Sequence, residues 1–291
     1  MKLTVMHRTT YVYGDSVTTS HHEALLTPRE TEGQRTISHE LTITPPPETR
    51  RRRFDYFGNR TVHFSLCEPH RSLNVTSRSM VEVKPQPPLE LRATPAWESV
   101  RDRLRSDRRR DVLDAFAMTF DSNYVAADAE LEAFSAPFFD TGRPLLEAVQ
   151  ALVASIYEEF TYDPRATEVS TPLLEVLQER RGVCQDFAHL AIGCLRTRGL
   201  AARYVSGYLL TRPPPGKPRL VGADASHAWF ATFIPEHGWV EFDPTNNVMP
   251  AGEHITIAYG RDFGDVTPIR GVILGGGHHQ LSVSVDVAGV D

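Results

Sequence analysis

Residues 180–209 read RRGVCQDFAHLAIGCLRTRGLAARYVSGYL, and this stretch decides the fold. Phe187, Leu190, Ala191, Cys194 and Leu195 recur at three- and four-residue steps, the spacing that lines side chains along one stripe of an α-helix. Gly199 supplies a C-terminal stop after Arg198, and from Ala201 the period becomes that of strands. Two further strand-like segments, SHAWFATFI from Ser226 and HGWVEFD ending at Asp243, are joined by the turn Pro235-Glu236-His237-Gly238. Helices come first and strands second, which predicts an α+β unit with an antiparallel sheet rather than a doubly wound parallel one. Upstream, Leu145, Leu146, Val149, Leu152, Val153, Ile156, Tyr157 and Phe160 form one amphipathic helix. A second should start at Thr171-Pro172, with Thr as N-cap and Pro at the first helical position, and stop before Gly182.

The N-terminal third has a different texture. TYVYG, ISHELTIT, RTVHFSL and MVEV alternate or are β-branched, and turn signals such as LTPRETEG, TPPPE, FGN and EPH separate them at about ten-residue intervals. This predicts a β-sandwich-like antiparallel domain over residues 1–83. Residues 84–144 read as a connector with helical segments: a Pro-rich opening, KPQPP, precedes a stretch where arginines at 101, 103, 105, 108, 109 and 110 alternate with aspartates as a solvated face. Arg50 to Arg53, after PPPET, are expected in a loop. The α+β core is assigned to 145–250. A C-terminal extension, 251–291, carries the Gly-rich GGGHH and the alternating strand LSVSVDV.

At 291 residues, with 41% hydrophobic and 23% charged positions, the chain has the composition of a folded protein with a sizeable core. Its net charge of −6 and pI near 6.1 lack the global basic signature of a dedicated nucleic-acid binder. Three cysteines, at 67, 184 and 194, form neither a disulfide framework nor a paired zinc pattern. No secretory signal or bilayer-spanning run is visible, so a cytoplasmic protein without membrane partners is the expectation. Oligomeric state is left open.

Cys184 falls at the start of the third helix, where the macrodipole and unpaired N–H groups favour a thiolate. His227 and Asp243 lie in the two successive strands; a hairpin centred on Pro235 makes them direct cross-strand neighbours on one face. A carboxylate there holds the imidazole in one tautomer and favours its charged form, so the three residues can serve as nucleophile, base and orienter. Taken singly, a cysteine on an apolar stripe is usually packing, which is the reading for Cys194 and Cys67. Zinc ligation by Cys184, His227 and Asp243 is the chemical alternative. His278 and His279 after three glycines, and likewise His21 and His22, lack a third ligand nearby, and no phosphate-binding or EF-hand loop is present. No cofactor is implied.

The segments GVCQDFA, SHAW and GWVEFDPT, in that order, closely resemble the transglutaminase-like superfamily of papain-like fold, over about Phe160 to Asn247. HRTTYVY, DYFGN and EPH resemble the N-terminal module of its bacterial members, and AYGRDFGDVTPIRGV their C-terminal continuation. The resemblance implies a Cys184-His227-Asp243 triad that forms an acyl-thioester from a peptide or carboxamide carbonyl. It implies a thiol-dependent hydrolase, a cysteine peptidase or amidase acting on a peptide or protein substrate. Acyl transfer to amines, as in a transglutaminase, and a non-catalytic peptide-binding module are the alternatives. The Cys184 N–H and, from an upstream loop, Tyr162 are the implied oxyanion donors; Tyr162 could equally close the end of the preceding helix against the core. Gln185 and Asp186 point away from the thiol and read as helix support.

Overall fold

A computed structural model describes residues 1–85, 89–211 and 226–290. Residues 86–88 of the Pro-rich connector therefore lie outside the described residues. The chain opens with strands β1 (Lys2–Ala24), β2 (Gln34–Thr44), β3 (Thr49–Phe54), β4 (Arg60–Leu66) and β5 (His70–Val83). Three connector helices follow, α1 (Trp97–Ser106), α2 (Arg110–Phe116) and α3 (Ala129–Ser135). The core then runs α4 (Leu145–Glu159), β6 (Thr161–Tyr162), α5 (Leu173–Glu179), β7 (Arg181–Gly182), α6 (Cys184–Thr197), β8 (Ala202–Leu209), β9 (Ser226–Ile234), β10 (Gly238–Phe242) and β11 (His254–Gly260). The short α7 (Phe263–Val266) leads to β12 (Ile269–Gly275) and β13 (His279–Val290).

In the N-terminal module β1 is a single long strand with ladders on both sides. Its first half pairs with β5 on one side and β13 on the other; its second half pairs with β4 and β12. β4 and β5 thus form one discontinuous antiparallel track along β1, and β12 and β13 another. Both flanking tracks break at the same level, at Cys67-Glu68-Pro69 and from Gly276 to His278, where β1 runs on through Gly14-Asp15-Ser16 and changes partners. At the last break Gly275, Gly276 and Gly277 all have positive φ, a run that side-chain-bearing residues resist. The halves enclose a core of Tyr13, Val17, Leu41, Ile43, Phe64, Leu66, Leu73 and Val75. The strands at the C-terminal end of the chain therefore complete the sheet begun at its start.

The four arginines expected in a loop are instead strand β3, paired with β4 from Thr49 opposite Ser65 to Phe54 opposite Arg60. β3 ends the path β2-β5-β1-β4-β3 and every residue in it is exposed. Extended arginines keep their charges in water at such an edge, where charge also discourages pairing with another chain.

The second unit packs helices on an antiparallel sheet of order β10-β9-β8-β11. Helix α6 is its axis: every residue from Asp186 to Arg196 is buried, against β8 and β9 on one side and α3, α4 and α5 on others. Buried Arg196 donates to the carbonyls of Met118, Ala202 and Arg261 and to Ser122 Oγ, tying the connector to the sheet. Arginines of the connector pair with acids as a solvated face does, and Arg103 and Arg109 reach Glu236 in the β9–β10 turn. No helix among the described residues is long and apolar enough to cross a membrane.

The two units share one apolar cluster, to which Leu3, Val5, Val81, Val83, Val285 and Val287 contribute from the β module. The outer side of edge strand β11 is closed by side-chain amides. Gln34 donates Nε2 to the Thr256 carbonyl and accepts the Thr256 N–H through Oε1, each at 2.8 Å. Asn59 does the same for Tyr259, at 2.7 and 2.8 Å. Each buried carboxamide thereby replaces a strand neighbour's backbone.

Candidate active site

Cys184 is the first residue of α6, after an extended Val183. The carboxylate of Asp186 accepts the Val183 N–H at 2.8 Å and the Thr167 hydroxyl at 2.6 Å, the return half of a capping box. A Cβ on Gly182 would lie 2.7 Å from Asp186 Oδ2, so glycine at that position makes room for the cap. The run Gly-Val-Cys-Gln-Asp is thus a helix-start device that presents the thiol. Gln185 Nε2 turns away to the Val169 carbonyl. Cys194 is buried on the apolar stripe and Cys67 is exposed.

His227 lies near the start of β9, and Asp243 directly follows β10. Ile234 opposes Gly238 and Phe230 opposes Phe242, so the hairpin is centred on Glu236, which has φ 70°, and not on Pro235. By continuation Asp243 faces Trp229, and His227 is its diagonal neighbour. A shift of two residues keeps both side chains on one face. They meet there: His227 Nε2 is 2.7 Å from Asp243 Oδ2. The Cys184 side chain lies near enough to the same imidazole to favour its charged form, and with Nε2 on Asp243, Nδ1 is the nitrogen left to face it.

Asp243 is fully buried, and its carboxylate is saturated with donors. Oδ2 takes His227, Asn246 Nδ2 at 2.7 Å and His254 Nε2 at 3.0 Å, while Oδ1 takes the Thr245 N–H at 3.0 Å. Burial alone would raise its pKa, but these hydrogen bonds and the His227 charge hold it well below the usual carboxylate range. For His227, burial opposes the charge, yet the hydrogen bonds and charges of Asp243 and Cys184 outweigh it and lift the imidazole to about 10. The site therefore favours an imidazolium between a carboxylate and the thiol. His227, Asp243 and His254 are also the one group among the described residues whose ligand atoms could converge on a metal, within 4.8 Å of one another. Both imidazoles stand on the same carboxylate oxygen at hydrogen-bond distance, closer than the roughly 3.3 Å between tetrahedral zinc ligands that bonds of about 2.0–2.1 Å require.

Tyr162 pairs with Gly182 across the short parallel β6–β7 ladder, two residues before the thiol. It is 52% exposed, so it does not close the helix end against the core. Burial of part of the ring and the charge of Cys184 both raise its hydroxyl pKa, which places it in the thiol's electrostatic reach. His254 and Asn246 were not singled out in the sequence; the signal for Asn246 was the PTNN turn after Asp243, whereas His254, in GEHITIAYG, had none.

Residues 3–82 match the bacterial transglutaminase-like N-terminal region, and residues 132–244 match the transglutaminase-like superfamily core. The chain belongs to the transglutaminase-like superfamily. An uncharacterized protein of Mycobacterium tuberculosis is 43% identical over 97% of this chain and 91% of its own length, and one of Mycobacterium leprae is 36% identical over 98% of each. A protein-glutamine gamma-glutamyltransferase of Pseudomonas aeruginosa is 34% identical over 35% of this chain and 16% of its own. In structure, a candidate cysteine protease from Cytophaga hutchinsonii covers this chain fully and 91% of its own, with a TM-score of 0.77 at 24% identity, and shares its transglutaminase-like fold.

Proposed function

We propose that this superfamily member is a thiol-dependent hydrolase, a cysteine peptidase or amidase acting on peptide or isopeptide bonds of a peptide or protein substrate. The observation that supports it is one imidazole, His227, held between the Cys184 side chain and a buried, charge-retaining Asp243. In this reading the Cys184 thiolate attacks the carbonyl carbon, and the developing oxyanion is met by the Cys184 N–H at the helix start and by the Tyr162 hydroxyl. His227 gives its proton to the leaving amine as the C–N bond breaks, leaving an acyl-thioester. Water then loses a proton to His227 and attacks the thioester, releasing the acid and restoring the thiolate.

The partial likeness to a glutamyltransferase favours a second reading, in which an amine rather than water accepts the acyl group. Supplying a glutamine-bearing peptide and a labelled primary amine decides between them. Under the hydrolytic reading, amine or ammonia is released without label incorporation and Cys184→Ala abolishes release; incorporation faster than release establishes transfer. Binding of peptides with no turnover in the parent protein would identify a non-catalytic module. Stoichiometric zinc in protein purified without chelator would overturn the thiol reading.

A further inference from the structure

We propose that His254, on the opposite edge strand of the catalytic sheet, is a positioning residue that holds Asp243 in register with His227. The inference rests on the hydrolase reading above only for its chemistry; its geometry stands alone. β10, which leads into Asp243, and β11, which begins with His254, are the two edges of the β10-β9-β8-β11 sheet. A side chain from one edge can meet a residue from the other only if the strands between leave a path. Gly207, paired with His227 and with Thr256, provides it. A Cβ there would lie 2.5 Å from Trp229 Cη2 and 2.1 Å from the Ile255 carbonyl oxygen, so the indole crosses β8 where a side chain is missing. The imidazole of His254 stands edge-on to that indole, with centroids 5.1 Å apart at 77°, and the indole is anchored by its Nε1–H to Glu241 at 2.8 Å. Glycine, indole and imidazole thus form a stack that ends on Asp243 Oδ2.

The protonation of His254 follows from the same burial. Its Nδ1 is buried without a partner. The tautomer with the proton on Nε2 leaves only an acceptor unpaired and supplies a donor to Asp243; a proton on Nδ1 would bury an unsatisfied donor. The charged and titratable groups facing the carboxylate are then His227 from β9 and His254 from β11, with Cys184 behind His227 on α6. His254 fixes the carboxylate oxygen that also holds His227, and it links that oxygen to the β module, because Gln34 clamps β11 at Thr256, two residues along.

The test compares His254→Phe, which keeps a ring against Trp229 but has no N–H, with His254→Gln, which keeps an N–H donor. The probe is iodoacetamide labelling of Cys184 at pH 7, with unfolding curves to verify folding. Labelling is expected to slow at least tenfold in His254→Phe and to stay within about threefold of the parent in His254→Gln. Equal rates in the parent and His254→Phe, or a Gln variant as slow as the Phe variant, overturn the proposal. The proton NMR signal of His227 Nε2–H, low-field when held by the carboxylate, provides a readout independent of the thiol. It should persist in His254→Gln and shift or vanish in His254→Phe. If Cys184 in the parent labels no faster than Cys67 while this signal behaves as expected, the nucleophile reading fails and the positioning role is upheld. In the unmodified protein, nitrogen NMR showing His254 protonated at Nδ1 overturns the proposal without any variant.

Discussion

At the residue scale a single imidazole, His227, lies between the carboxylate and the thiol of the candidate site, and the charges of His227 and Asp243 have consequences in both directions of pH. The folded pKa of His227 is lifted to about 10, above its ordinary 6.5, so its contribution to stability is complete below 6.5 and is lost as pH rises through 10. Asp243 is depressed, so its contribution is complete above its ordinary 3.8 and is lost as pH falls below it. Alkylation of Cys184 at pH 7, read by peptide mass spectrometry against Cys67 and Cys194, should outpace both and lose this selectivity in His227→Ala. Labelling no faster than Cys67 would contradict an activated thiol. Tyr162→Phe should lower kcat about a hundredfold with little change in KM, the effect of removing one oxyanion donor; an unchanged kcat would return Tyr162 to a surface role. The residues of this site were legible because each sits where a local signal concentrates: Cys184 where an apolar stripe begins, His227 and Asp243 on either side of a turn. Their meeting survived a hairpin register two residues from the expected one, since side-chain direction repeats every two residues along a strand. His254 was not legible, because its role depends on what three other strands place between it and Asp243.

At the scale of elements, β11 shows how an edge strand can be finished by side chains. Gln34→Leu would leave the Thr256 N–H buried and unpaired, while the Thr256 C=O keeps the Arg29 N–H, and should cost about 1–3 kcal/mol in chemical denaturation; a loss below about 0.5 kcal/mol would mean that water replaces the amide. Gly207→Ala places a methyl against a backbone oxygen that has no room to yield, and should destabilise by more than about 3 kcal/mol or prevent folding. Helices α4, α5 and α6 were legible from period and stop signals, although Pro172 is the N-cap of α5 rather than its first residue, and α1 to α3 were not placed because their short apolar stripes lie among charges. The strands were less so. β1 runs over turn-like residues at Gly14 to Ser16 because ladders on both sides hold it extended, and four arginines form β3 because a free edge lets each side chain reach water.

For the whole molecule, the histidines of the interior set an acid limit. Burial lowers His7, His22, His39 and His189 to about 4, so from pH 6.5 down to 4 the unfolded chain binds protons that the folded chain refuses. Stability should fall steadily over that interval, before most carboxylates titrate, and replacing His7 by Gln should flatten the slope of unfolding free energy against pH. The sequence announced a β module, a connector and an α+β core, but it carried no sign that β12 and β13 belong to the module, since pairing across some 250 residues leaves no local mark. That pairing has a consequence for synthesis. When the ribosome has emitted β5, the free flank of β1 must wait for β12, nearly two hundred residues later, or roughly 10–40 s at ordinary translation rates. For that interval the nascent chain presents an open β edge, so chaperone occupancy during translation should peak before β12 emerges and fall once β13 has closed the sheet.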